Sequence, residues 1–104
     1  MVLPELTPQQ RAQALEKATQ ARKRRAEVKA ALKNRQMTVS EVFQLAEHDE
    51  AIAKMKAVTM LESLPRVGAT TAAKLLDEFN IVASRRIRGL GPIQRQKIIE
   101  RFER

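Results

Sequence analysis

The stretch that decides the fold is Leu61–Gly91, LESLPRVGATTAAKLLDEFNIVASRRIRGLG. It opens with a tight turn, Leu64-Pro65-Arg66-Val67-Gly68, set directly before a helical pattern. Pro65 pushes the residue before it out of helix, so any preceding helix ends here. A new helix is expected after Gly68, running to about Phe79 with Ala72, Ala73, Leu75, Leu76 and Phe79 apolar. A second turn follows, bounded by Gly89 and Gly91 and carrying Arg85, Arg86 and Arg88. Ser84 is placed to cap a short helical turn over Arg85–Arg88, which would set Arg85 and Arg88 on one face and Arg86 on another. Both turns aim backbone N–H groups or guanidinium groups outward, an arrangement suited to phosphate.

Outward from this stretch the pattern is helical throughout. Thr7, Pro8 and Gln10 form an N-terminal signature: an N-cap, a proline at the first helical position, and the third-residue amide of a capping box. From Pro8 to about Lys33 there is no glycine and no further proline, and alanines recur. At 1.5 Å per residue these residues make a rod of about 39 Å. Its apolar pattern is weak: after Leu15 no large aliphatic residue comes before Val28 and Leu32. A basic helix so poorly anchored is a candidate to project from the core and lie along a polyanion, with Arg22, Lys23, Arg24 and Arg25 as its contacts. Thr38 and Glu41 repeat the capping box, and a second helix is expected to about Ala46. His48-Asp49-Glu50 punctuates the chain, and a third helix is expected to use Ile52, Met55, Val58, Met60 and Leu61. Gly91-Pro92 opens a last helix to about Phe102, with Ile93, Ile98, Ile99 and Phe102 apolar. No segment alternates with period two, so no sheet is expected. The fold class is all-α: a long basic N-terminal helix over residues 1–35, then a helical domain over residues 36–104.

Charge sharpens the functional class. The 104 residues carry 20 Lys and Arg against 12 Asp and Glu, a net charge of +8. Residues 11–35 hold nine basic and two acidic groups; residues 36–50 hold four acids and no Lys or Arg; residues 66–104 hold nine basic and four acidic. Two basic zones around an acidic spacer can grip a polyanion from two sides. There is no cysteine, hence no disulfide framework and no thiolate metal site, which fits a reducing compartment. No apolar run approaches a membrane span and no signal-peptide pattern follows Met1. His48 is the single histidine, and no carboxylates sit near the basic turns with metal-ligand spacing. Neither a catalytic residue nor a metal, cofactor or small-molecule substrate is expected.

The residues Leu61, Leu64, Pro65, Val67, Gly68, Ala73, Leu75 and Leu76 resemble the helix-hairpin-helix family of nucleic-acid binders. There a glycine-permitted turn presents helix N-terminal N–H groups to phosphate; here these would be offered by Val67, Gly68, Ala69 and Thr70. Arg66 stands where that family has its first glycine. A positive φ would strain Arg66; a turn of another shape would let it reach the phosphate itself. With SRRIRGLG added, the pair of turns is similar to a helix-two-turn-helix module. The run from Leu3-Pro4 to about Phe102 resembles the actinobacterial integration host factor family of nucleoid-associated proteins.

That resemblance implies a long N-terminal helix followed by a compact bundle of short helices. It implies binding of double-stranded DNA with low sequence specificity, bending or compacting it and supporting site-specific recombination. Carried over, Arg85, Arg86 and Arg88 would contact DNA, with Gly89 and Gly91 allowing close approach. Lys54, Lys56, Arg66 and Thr70 are further contacts. A monomer in the cytoplasm and nucleoid is expected. The alternative is an RNA-binding or ribosomal-type module, since LPRVGATTAAKLLDEFNI also resembles a helical small-subunit ribosomal protein. The lack of Trp and Tyr counts against stacking on single strands.

Overall fold

The computed structural model describes residues 6–103; Leu3 and Pro4, included in the resemblance above, lie outside the described residues. Six α-helices follow in chain order: α1 (Pro8–Lys33), α2 (Val39–Ala46), α3 (Glu50–Ala53), α4 (Ala57–Glu62), α5 (Ala69–Glu78) and α6 (Pro92–Phe102), with a 3-10 helix over Ile87–Gly89 between the last two. There is no strand among the described residues, only one isolated antiparallel bridge between Lys56 and Arg86.

Both capping boxes form. Gln10 N–H donates to Thr7 Oγ1 (3.1 Å) and Thr7 N–H donates to Gln10 Oε1 (2.9 Å); Thr38 and Glu41 repeat the exchange at the start of α2. α1 is exposed over its first thirteen residues, Leu15 included, and joins the core only through Val28 and Leu32. Burying each of these stabilises its docking by about 1.5–3 kcal/mol. The helical rod therefore begins free and ends inside the domain, where α1 packs on α3. Around it the core gathers Val39, Val42 and Phe43 of α2, Ile52, Met60 and Leu61, Leu75 and Leu76 of α5, Ile87 and Ile98.

Two sequence expectations are corrected. The third helix is two helices, α3 and α4, broken at Lys54-Met55-Lys56. The break carries no proline or glycine. Its cause is tertiary: the Met55 carbonyl accepts the Ile87 N–H (2.8 Å) and the Lys54 carbonyl accepts the Arg86 guanidinium (2.7 Å). Carbonyls that would continue a helix are taken by a segment thirty residues away. The expected helical turn over Arg85–Arg88 shrinks to Ile87–Gly89, and Ser84 does not cap it. Arg86 is extended (φ −97°, ψ 161°) because it pairs with Lys56, so Arg85 and Arg88 do not share a helical face. In α6, Ile93 is 72% exposed, while Ile98 is fully buried and Ile99 and Phe102 pack against the core.

Among the described residues, three non-glycine residues have positive φ: Arg35 (60°), Arg66 (65°) and Asn80 (57°). Arg35 and Asn80 end α1 and α5. In each case the next N–H reaches back into the helix, Gln36 N–H to the Ala31 carbonyl (2.8 Å) and Ile81 N–H to the Leu76 carbonyl (2.8 Å). These are Schellman closures, which favour glycine or asparagine at that position.

Candidate nucleic-acid interface

The arginine turn is tied to the α3–α4 break. Ala57 N–H donates to the Arg85 carbonyl (2.9 Å), so the turn supplies the cap that α4 lacks from its own side chains. Together with the Ile87-to-Met55 bond and the Arg86-to-Lys54 bond, this brings two segments of the chain to one place. Lys54 and Lys56 thereby stand beside Arg85, Arg86 and Arg88, all five exposed. Arg86 is pre-oriented: one guanidinium nitrogen is bonded to the Lys54 carbonyl, and its remaining donors are free to grip a phosphate. Val82, Ser84, Arg85, Arg86, Arg88 and Gly89 line an open groove here.

Gly89 acts through close approach, and not through an unusual backbone angle. No glycine has positive φ. A Cβ at Gly89 would lie 2.8 Å from Arg85 Cδ and 3.5 Å from its Nη1, so the Arg85 side chain folds directly over Gly89. Gly91 is different: a Cβ there would meet only Gln94 Oε1 at 3.8 Å. That oxygen accepts the Gly91 N–H (3.0 Å), while Gln94 Nε2 donates to the Asn80 carbonyl (2.9 Å). Both ends of this amide are thus occupied within the protein.

A second groove runs between α1 and α3, lined by Lys17, Gln20, Ala21, Arg24, Arg25, Asp49, Glu50, Ala51 and Lys54. Lys54 belongs to it and to the arginine turn, so the two grooves adjoin. Four consecutive residues of a helix point in four directions. Of Arg22 to Arg25, only Arg24 and Arg25 line this groove; Arg22 and Lys23 are exposed and turned away from it. Arg24 has an internal task. Its Nε donates to Asp49 Oδ2 (2.9 Å) and a terminal nitrogen approaches Glu27 (3.4 Å), which straps α1 to the start of α3. The hydrogen bond to Asp49, helped by that to Glu27, raises its pKa further, against the opposing effect of burial. Lys17 is the groove residue that nothing in its local sequence singled out; only its place one turn before Ala21, on the α3-facing side, marks it.

The hairpin lies at the other end of α4. Arg66 adopts a left-handed conformation (φ 65°), the region that favours glycine, and Val67 N–H closes the turn on the Leu64 carbonyl (3.2 Å). Of the two expectations for this turn, the positive φ is the one realised, and Arg66 carries the strain. Gly68 is the N-cap of α5 in extended conformation, with open space around its α-carbon, and Thr70 is exposed in the first turn. α5 is ten residues long, about 15 Å, and separates this turn from the arginine turn.

Comparison with known proteins places this geometry in a family. Residues 32–102 match the S13-like H2TH domain. The integration host factor of Mycobacterium tuberculosis is 47% identical over 102 residues, spanning 98% of this chain and 97% of its own. That of Streptomyces coelicolor is 49% identical over 94 residues, 90% of this chain and 88% of its own. A solved structure of sIHF bound to an 8 bp palindromic DNA superposes with a TM-score of 0.81 at 41% identity, covering 84% of this chain and 98% of that one. A shared fold at this identity over this length means that the chain belongs to the integration host factor family.

Proposed function

We propose that this protein binds double-stranded DNA, chiefly through its phosphates and with low sequence specificity, bending or compacting it in the nucleoid and supporting recombination. The observation that carries this reading is the junction of the arginine turn with the α3–α4 break. It gathers Lys54, Lys56, Arg85, Arg86 and Arg88 on one surface, with Lys17 and Arg25 of α1 on the adjoining groove. A related protein of the same fold has been solved bound to DNA. Low specificity follows from what the surface offers. Sequence is read by amide and guanidinium pairs on base edges. At the arginine turn the amide of Gln94 is occupied internally; Gln20, in the adjoining groove, has its Nε2 turned to Glu16 (3.5 Å), and the cations are of a kind that serves phosphate equally well.

With about six phosphate contacts, log affinity falls with log salt at a slope near −5. Fluorescence anisotropy on unrelated 20-bp duplexes tests this, with duplex RNA and single strands as competitors. Arg85→Ala combined with Arg86→Ala should weaken binding by about the same factor on every duplex. Loss confined to one sequence would replace phosphate contact with base readout, and tighter binding to duplex RNA would replace the DNA reading altogether.

A further inference from the structure

Two carboxylates line the cationic groove: Asp49, tied to Arg24, and Glu50, which has no such partner on α1. Glu50, the first residue of α3, lies in the groove between α1 and α3 that adjoins the arginine turn. Its Oε1 holds Lys54 Nζ at 2.9 Å. Hydrogen bonding and attraction from Lys54, then attraction from Lys17 and Arg88, keep its carboxyl below the usual carboxylate range. Its neighbours on three segments are therefore cations: Lys17 of α1, Lys54 at the break, Arg88 of the 3-10 helix.

Capping does not account for it. Asp49 is the N-cap of α3 and its Oδ1 already accepts the Ala51 N–H (3.1 Å). Nor does packing, since Glu50 is exposed and its pair with Lys54 is 44% and 64% exposed. An exposed ion pair of this sort adds little to stability. Its effect on a phosphate is larger. A phosphate approaching Lys54 must displace the carboxylate, and then sits well within the Debye length of a second negative charge.

We propose that Glu50 is an affinity-limiting residue of the DNA-binding face, which occupies Lys54 in the free protein and repels phosphate from the groove between α1 and α3. The proposal rests on the DNA reading above. The effect of Glu50 is to moderate a strongly basic surface: Lys54, where the two basic zones meet, is paired in the free protein, and a phosphate reaches it only by displacing the carboxylate.

The test is Glu50→Gln, which keeps size and hydrogen bonding and removes the charge. If one further phosphate contact is gained through counterion release alone, the salt slope steepens by about 0.9. Affinity then rises about eightfold at 0.1 M salt and about threefold at 0.3 M. Glu62→Gln removes the same charge at the opposite end of α4 from Lys56, outside the groove, and should change affinity less than about twofold. Lys54→Ala in the Glu50→Gln background should abolish the gain. Unchanged or weaker binding by Glu50→Gln, or an equal gain by Glu62→Gln, would overturn the proposal while leaving DNA binding intact. Failure of the wild-type protein to bind duplex DNA at low salt would instead refute the DNA reading, and the proposal with it.

Discussion

Replacing Gly89 by alanine tests the arginine turn at its tightest point. The new Cβ would lie 2.8 Å from Arg85 Cδ, a separation that real Cβ contacts do not show. Something must move. The obstructing atom belongs to a flexible, exposed side chain, and Gly89 itself has an ordinary φ, so the backbone can accept alanine. The fold should be kept, with a melting temperature within about 2 °C of wild type. Arg85 must leave its place over residue 89. If Arg85 provides one phosphate contact, its loss costs about eightfold in affinity at 0.1 M salt, or about 1.2 kcal/mol, and flattens the salt slope by about 0.9. Gly89→Ala should approach that value, and so should Arg85→Ala. The decisive quantity is the double variant. If alanine at 89 acts only by displacing Arg85, it is silent once Arg85 is gone, and the double-mutant cycle gives a coupling of about 1 kcal/mol. Anisotropy titrations of the four proteins measure it. Additive losses, with zero coupling, would refute this account and mean that residue 89 touches DNA directly. Loss of the folded state in Gly89→Ala would refute the claim that Arg85 can yield.

Two further outcomes concern stability. Arg35 is exposed at φ 60° where the Schellman closure of α1 favours glycine, so Arg35→Gly should raise stability by about 0.5–1 kcal/mol, seen as a 2–5 °C rise in melting temperature. Glu103 accepts both the Ser40 N–H and its hydroxyl at 2.7 Å, which holds its carboxyl below the usual range despite some burial. A depressed carboxyl stabilises the folded state above its unfolded pKa, about 4.3, and that contribution is lost as pH falls through the folded value. Wild type should therefore exceed Glu103→Gln in melting temperature above pH 5 and converge on it in acid; a gap that persists at pH 2 would exclude this linkage.

Helix starts and stops were legible where the signal is local. Thr7-Pro8-Gln10 and Thr38-Glu41 name their helices because capping is chemistry between residues three apart, and it forms as expected. Leu64-Pro65 stops α4 for a reason written in the proline ring. The break at Lys54-Met55-Lys56 had no such mark, since nothing there disfavours helix; the carbonyls are taken by Arg86 and Ile87. The same bonds make Arg86 extended where a local reading gave a helical turn.

By itself, then, the sequence determined that the chain is helical, that its first helix is basic and weakly anchored, and that two turns flank α5. These are properties of composition, period and capping, which act within a few residues. Tertiary structure alone decided which cations share a surface. Lys54, Lys56, Arg86 and Arg88 meet because groups thirty residues apart along the chain satisfy one another, and Lys17 joins them through the packing of α1 on α3; charge placement at that range is set by folding the chain rather than by any spacing along it.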